Sequence, residues 1–153
     1  MFSRDLKFIN GFLLSDFKYL MAYSIPLTAL IGFYLGGYWL FTTPFYIFVI
    51  IPTVEFVLTR YGIDELETVR AEKGIHWLFD IMLYLNILIV FGLLIYSLTK
   101  IVSYEFMSIE FLGSLLSMGL VMASNGINVA HELCHRTKTP ERFLGKFLLI
   151  PSL

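Results

Sequence analysis

The sequence predicts an all-α fold, a polytopic membrane helical bundle with four transmembrane helices and the start of a fifth segment. Of its 153 residues 58% are hydrophobic and 15% are charged, against about 45–50% and about 25% in soluble domains. The mean hydropathy of +0.77 agrees. Four apolar stretches follow one another at spacings that suit membrane crossings. We interpret residues 1–153 as a single membrane domain.

The first predicted span covers residues 19–41, which contain no charged residue. At 1.5 Å per residue the stretch is long enough to cross a hydrocarbon core of ~30 Å. Pro26 and the Gly36-Gly37 pair are tolerable inside a membrane helix. Residues 1–18 mix charged and apolar side chains, which is typical of an amphipathic segment at the membrane surface.

A polar break at Thr42-Thr43-Pro44 separates this span from the second, residues 45–59. The second stretch is short for a crossing, and the brief connection predicts an antiparallel hairpin of the two spans. Residues 60–75 hold three basic and four acidic side chains and are expected to form a solvated loop.

The third predicted span covers residues 76–99, with Asp80 and Asn86 inside it, and the fourth covers residues 108–135. The fourth is longer than a crossing needs, so its end should project into the aqueous phase. A polar stretch follows, and residues 143–153 begin another apolar segment that is too short to span.

The basic residues predict the orientation. Ten of the eleven lysines and arginines lie in the N-terminal segment, in the loop after span two and after span four, and the exception is Lys100. By the positive-inside rule these three regions face the cytoplasm. The net charge of −1 and the lack of a dense basic run give no indication of nucleic-acid binding.

The end of span four carries the sequence's main chemical signal. His131 and His135 are spaced i, i+4 and therefore share one helical face. This is the spacing that lets two imidazoles hold one metal ion, and the carboxylate of Glu132 stands beside them. Asn128 and Ser124 extend a polar stripe along the helix, and Asn128 could orient a ligating imidazole. The plainer alternative is that these side chains only cap a membrane helix near the headgroups.

Two metal sites fit this pattern. His-Glu-x-x-His is the signature of zinc metalloproteases, in which the glutamate is the general base. Imidazole suits non-haem iron as well as zinc. Cys134 is the chain's single cysteine, so no intrachain disulfide can form.

The run from Asn128 to Leu149 resembles the first histidine box of the membrane alkane 1-monooxygenase and xylene monooxygenase group, within the fatty-acid desaturase/hydroxylase superfamily. The family pattern is Asn-x-x-His-Glu-Leu-Gly-His-Lys, then a polar segment with an arginine and the next membrane helix. Arg136 replaces the usual lysine and Cys134 the usual glycine, a departure that bears on helix packing. Residues 51–56 also resemble the family's Pro-x-x-Asp/Glu feature. The matching residues are Asn128, His131, Glu132, Leu133, His135 and Arg142.

The resemblance implies a di-iron monooxygenase of the cytoplasmic (inner) membrane. Such enzymes place one oxygen atom from O2 into a C–H bond of an alkane or related alkyl chain, with electrons from a rubredoxin or ferredoxin. The substrate would enter from the lipid bilayer. On this hypothesis His131 and His135 are iron ligands, and Glu132 is a catalytic or electrostatic residue beside them.

The family uses two further histidine boxes, whereas this chain has three histidines. We therefore expect the chain to be the N-terminal part of a longer enzyme and inactive alone. His76, at the start of span three, is interpreted as interfacial and could pair with Asp80. The alternatives are a desaturase of the same superfamily and a membrane-embedded zinc metalloprotease, for which Glu55 or Asp80 could supply the third ligand.

Overall fold

Five helices make up the described part of the chain, in a computed structural model that describes residues 22–60 and 76–152. The predicted surface segment 1–18 and nearly all of the charged loop 60–75 lie outside these ranges. No strand occurs among the described residues, so the prediction of an all-α fold is confirmed. In chain order the helices are α1 (Ser24–Leu35), α2 (Gly37–Arg60), α3 (His76–Ile101), α4 (Ile109–His135) and α5 (Thr139–Leu149).

Three of these helices are long and apolar enough to cross a membrane, namely α2, α3 and α4. These three helices indicate a multi-pass membrane protein. The prediction of four transmembrane helices is wrong for the described residues. There, α1 has 12 residues and a length of about 18 Å, short of the ~30 Å hydrocarbon core.

The first predicted span is interrupted because two glycines form a turn within it. Gly36 has φ of +69° and Gly37 has φ of +57°, a left-handed conformation that glycine adopts without the steric cost of a Cβ. The chain reverses here, and α1 packs against the first turns of α2. A Cβ on Gly32 would lie 2.7 Å from the Trp39 carbonyl oxygen, so glycine at position 32 permits this close contact.

The predicted break at Thr42-Thr43-Pro44 is instead helical, and α2 runs through it. Proline has no amide hydrogen, so Pro44 cannot bond the carbonyl of Leu40 one turn earlier. The Ser117 hydroxyl of α4 donates a hydrogen bond to that buried carbonyl. A partner on another helix therefore satisfies the group that the proline leaves unpaired.

The second half of the chain agrees closely with the predicted elements. The third predicted span corresponds to α3, and the fourth, residues 108–135, corresponds to α4. Ser108 caps α4 by accepting a hydrogen bond from the Phe111 amide at 3.1 Å. Within α4, Met122–Ile127 adopts π-helical geometry, with wider turns than an α-helix.

The core lies between the helices, while the outward faces are apolar and exposed. All five helices contribute buried apolar residues, from Phe33 of α1 and Leu40 of α2 to Leu148 of α5. Large exposed side chains such as Tyr34, Phe56 and Leu88 cover the periphery. An apolar exterior around a packed interior is what a lipid solvent requires.

Candidate metal site

The two box histidines lie side by side at the end of α4. The Nε2 atoms of His131 and His135 are 3.2 Å apart. The ring centroids are 4.5 Å apart and the planes meet at 75°. Both side chains are exposed, so the pair is open to further ligands. The prediction that the i, i+4 spacing brings both imidazoles to one face is met by this geometry.

The spacing of the two nitrogen atoms fits a shared metal ion. Imidazole nitrogens bind metals such as zinc at about 2.0–2.1 Å. Two donors 3.2 Å apart then subtend an angle of about 100–105° at the metal, near tetrahedral and within reach of octahedral geometry. The distance also suits a hydrogen bond in which one Nε2–H donates to the other ring. His131 and His135 can therefore supply two ligands of a metal site.

Two ligands do not complete such a site. Among residues 22–60 and 76–152, no group of three or more His, Cys, Asp or Glu side chains is placed to hold a metal ion. Glu55 is exposed on α2, and the His76 side chain lies outside the described part. Any further metal ligands would have to come from outside these ranges.

Glu132 belongs to a chain of charges that joins α3 to the end of α4. Its Oε1 lies 3.4 Å from Nε of Arg136, one turn later. An Arg136 terminal nitrogen lies 2.8 Å from Oδ1 of Asp80 on α3. Asp80, which sequence reasoning considered as a partner of His76 or a third zinc ligand, thus forms an ion pair with the arginine that follows the box.

A second polar link ties α3 to the start of α5. Glu141 is buried at 5% exposure, and the Tyr84 hydroxyl donates to its Oε1 at 2.7 Å. Lys138 Nζ lies 3.4 Å from the same oxygen. The Tyr84 hydrogen bond, aided by Lys138 and opposed by burial, lowers the pKa of Glu141 below its usual value. Sequence reasoning missed this residue, although an acidic residue in the first turn after Pro140 is a common helix start.

The polar stripe along α4 borders a cleft between α3, α4 and the two residues that precede α1. Asn125 Nδ2 donates to the Ala22 carbonyl at 2.8 Å, and Asn128 Nδ2 donates to the Ser124 carbonyl at 2.7 Å. Asn128 therefore bonds its own helix rather than an imidazole. The cleft holds about 250 Å³. We call it the polar cleft, and its walls include Met82, Leu83, Asn86, Asn128, Val129 and Glu132.

Helix α5 packs closely against the end of α4 at Gly145. A Cβ on Gly145 would lie 2.8 Å from the Ala130 carbonyl oxygen and 3.0 Å from Sγ of Cys134. Cys134 thus lies against the glycine of α5, at a point where the partner helix has no side chain.

Comparison with protein-family models, with curated proteins and with solved structures finds no match to this chain.

Proposed function

We propose that this chain is part of an integral membrane non-haem di-iron monooxygenase that hydroxylates alkanes or related alkyl chains. The observation that carries the proposal is the pair of Nε2 atoms 3.2 Å apart, at the end of a helix long enough to cross a membrane. The resemblance of the surrounding residues to the first histidine box of membrane alkane monooxygenases directs the choice toward iron.

In this proposal His131 and His135 would hold one iron, and histidines beyond those described would supply the other ligands and hold the second iron. A complete di-iron centre would supply the activation of O2, with one oxygen atom going into the C–H bond and the other leaving as water. Two protons and two electrons, the latter from a rubredoxin or ferredoxin, would balance the reaction. The ion pair with Arg136 orients Glu132 beside the site.

The proposed location is the cytoplasmic membrane, with the N-terminus and the histidine box on the cytoplasmic side. Asp80 near the start of α3 pairs with Arg136 directly after α4, so the start of α3 and the end of α4 lie on the same side of the bundle. Asn125 of α4 bonds the carbonyl of Ala22, and Tyr23 bonds the carbonyl of Met82 on α3. The start of α1 therefore lies in the half of the bundle that carries the box, which supports this orientation.

Replacing either box histidine tests the proposed function. In the protein expressed from its complete reading frame, His131→Ala and His135→Ala should each abolish hydroxylation of a medium-chain alkane and lower the bound iron. Iron content by elemental analysis and product by gas chromatography are the measurements. His76→Ala is the matched control, since it removes the chain's third histidine, which lies outside the box. Full activity in either box variant would refute the ligand assignment.

A membrane metalloprotease is the second candidate, because His-Glu-x-x-His is present in full. It requires Glu132 to act on a metal-bound water, whereas Glu132 lies in an ion pair with Arg136. Zinc rather than iron in the purified protein, together with peptide cleavage that Glu132→Gln abolishes, would favour the protease. A desaturase would retain iron and yield an alkene in place of an alcohol.

A further inference from the structure

The polar cleft contains a buried amide without a full set of partners. Asn86 is only 4% exposed, and its Oδ1 makes no hydrogen bond within residues 22–60 and 76–152. An unpaired buried polar atom costs roughly 1–3 kcal/mol, so such an atom in the wall of a cleft calls for a partner. Sequence reasoning placed Asn86 inside a span but gave it no role.

The neighbouring polar groups of the cleft are already bonded. Asn125 donates to the Ala22 carbonyl and accepts from the Ser124 hydroxyl at 3.1 Å. Asn128 donates to the carbonyl of Ser124. None of these bonds involves Asn86, so no described residue satisfies its Oδ1.

The rest of the wall defines the chemistry of that occupant. Met82, Leu83 and Val129 supply an apolar surface. The volume of about 250 Å³ is below the roughly 300–1,000 Å³ of pockets that enclose drug-sized ligands. It therefore suits one end of a chain. Glu132 also lines the cleft, and its charge disfavours an anionic headgroup.

We propose that the polar cleft binds the hydroxyl end of a neutral single-chain amphiphile, of the class of medium-chain primary alcohols. A hydroxyl both donates and accepts, so it can pair with either end of the Asn86 amide, whose two ends exchange on a 180° rotation. The alkyl chain then lies along Met82, Leu83 and Val129. This inference does not depend on the proposed reaction.

The test uses the full chain in lipid nanodiscs and a primary alcohol that carries a photoactivatable diazirine. Mass spectrometry should locate saturable labelling on peptides of α3 and α4 around the cleft. 1-Decanol should compete with the label, whereas decane and decanoate should compete at least roughly fivefold more weakly, as expected for loss of one hydrogen bond or for charge repulsion.

Variants of the cleft supply the matched comparison. Asn86→Leu should weaken competition by 1-decanol roughly fivefold or more. Ser97→Ala, which changes a buried polar residue about three turns along α3, should leave it unchanged. If Asn86→Leu does not fold, Val129→Phe fills the same cleft with the amide intact and should block labelling. Labelling that does not saturate, that survives Val129→Phe, or that decanoate competes as well as 1-decanol would overturn the proposal. Competition by 1-decanol that Asn86→Leu leaves unchanged would also overturn it.

The same hydroxyl chemistry could come from a reaction product or from an alcohol of the membrane. Mass spectrometry of ligands extracted from purified protein separates the two sources. An alcohol recovered from the unmodified protein but not from His131→Ala would be a product. An alcohol recovered from both would come from the membrane.

Discussion

Single side chains link the candidate metal site to the rest of the bundle. Arg136, directly after α4, forms ion pairs with Asp80 on α3 and with Glu132 on α4. Tyr84, one turn after Asp80, bonds Glu141 on α5. The residue types at these positions decide how firmly the histidine end of α4 is held, although none of them is a metal ligand.

The Tyr84–Glu141 bond predicts a specific pH dependence. Because the folded pKa of Glu141 lies below its ordinary value of 4.5, the bond contributes stability above that pH. The contribution is lost as the pH falls through the folded pKa. Tyr84→Phe should therefore reduce stability at neutral pH, and the difference from the unmodified protein should shrink in acid.

Thermal unfolding in detergent, followed from pH 7 down to pH 3, measures this difference. Tyr34→Phe is the matched control, since Tyr34 is 79% exposed and should change little at any pH. A stability difference for Tyr84→Phe that stays constant below pH 4.5 would show that the bond does not depend on an ionised Glu141.

At the level of elements, contacts between helices decide where helices continue and where they end. Pro44 sits within α2 because Ser117 of α4 bonds the Leu40 carbonyl. We predict that Ser117→Ala costs roughly 1–3 kcal/mol of stability, because the buried carbonyl loses its partner. The cost should fall in a Pro44→Ala background, where the restored amide can bond Leu40. Reversible unfolding in mixed micelles and a double-mutant cycle measure this coupling.

Ser114→Ala is the control for that cycle. Ser114 is buried on the same helix, and its hydroxyl has no hydrogen-bond partner in the described part of the chain. Its removal should be close to neutral or stabilising. Equal costs for Ser114→Ala and Ser117→Ala, or no coupling to Pro44, would argue against the contact.

Contacts between helices also explain why the helix break lies at Gly36-Gly37 and not at the predicted Thr42-Thr43-Pro44. Thr42-Thr43-Pro44 has the composition of a turn, and nothing local to it shows that Ser117 restores the missing bond. Gly36 and Gly37 are compatible with a membrane helix, and only the packing of α1 on α2 selects their left-handed conformation. By contrast, the apolar run of α4 is a local feature, and the sequence was sufficient to predict it.

In the candidate site, too, the sequence predicts the local features but not the contacts between helices. The His131–His135 pair follows from helical periodicity alone. The Tyr84–Glu141 bond joins positions 57 apart in the chain, and no local pattern could predict it. Likewise the Asp80–Arg136 ion pair depends on how α3 lies against α4.

For the whole molecule, the charge distribution and the helix directions predict one orientation. A reporter at residue 1 and one between α2 and α3 should both be cytoplasmic, and one between α3 and α4, beside Lys100, should lie on the opposite side. Cysteine-accessibility labelling in a Cys134→Ala background measures this in intact cells. A reporter between α2 and α3 that lies on the same side as the one beside Lys100 would contradict the proposed orientation.

The π-helical segment Met122–Ile127 has a consequence for how the chain tolerates changes in length. A bond from residue i+5 to residue i encloses one residue more than an α-helical bond, so this segment holds a surplus residue within an unbroken helix. Loss of the exposed Ala123 could be absorbed by a return to α-helical geometry. Loss of a residue from Ile109–Val121 would instead turn the preceding part of the helix by about 100° relative to His131 and His135. A one-residue deletion within Met122–Ile127 would therefore leave His131 and His135 facing the same way relative to Ile109–Val121.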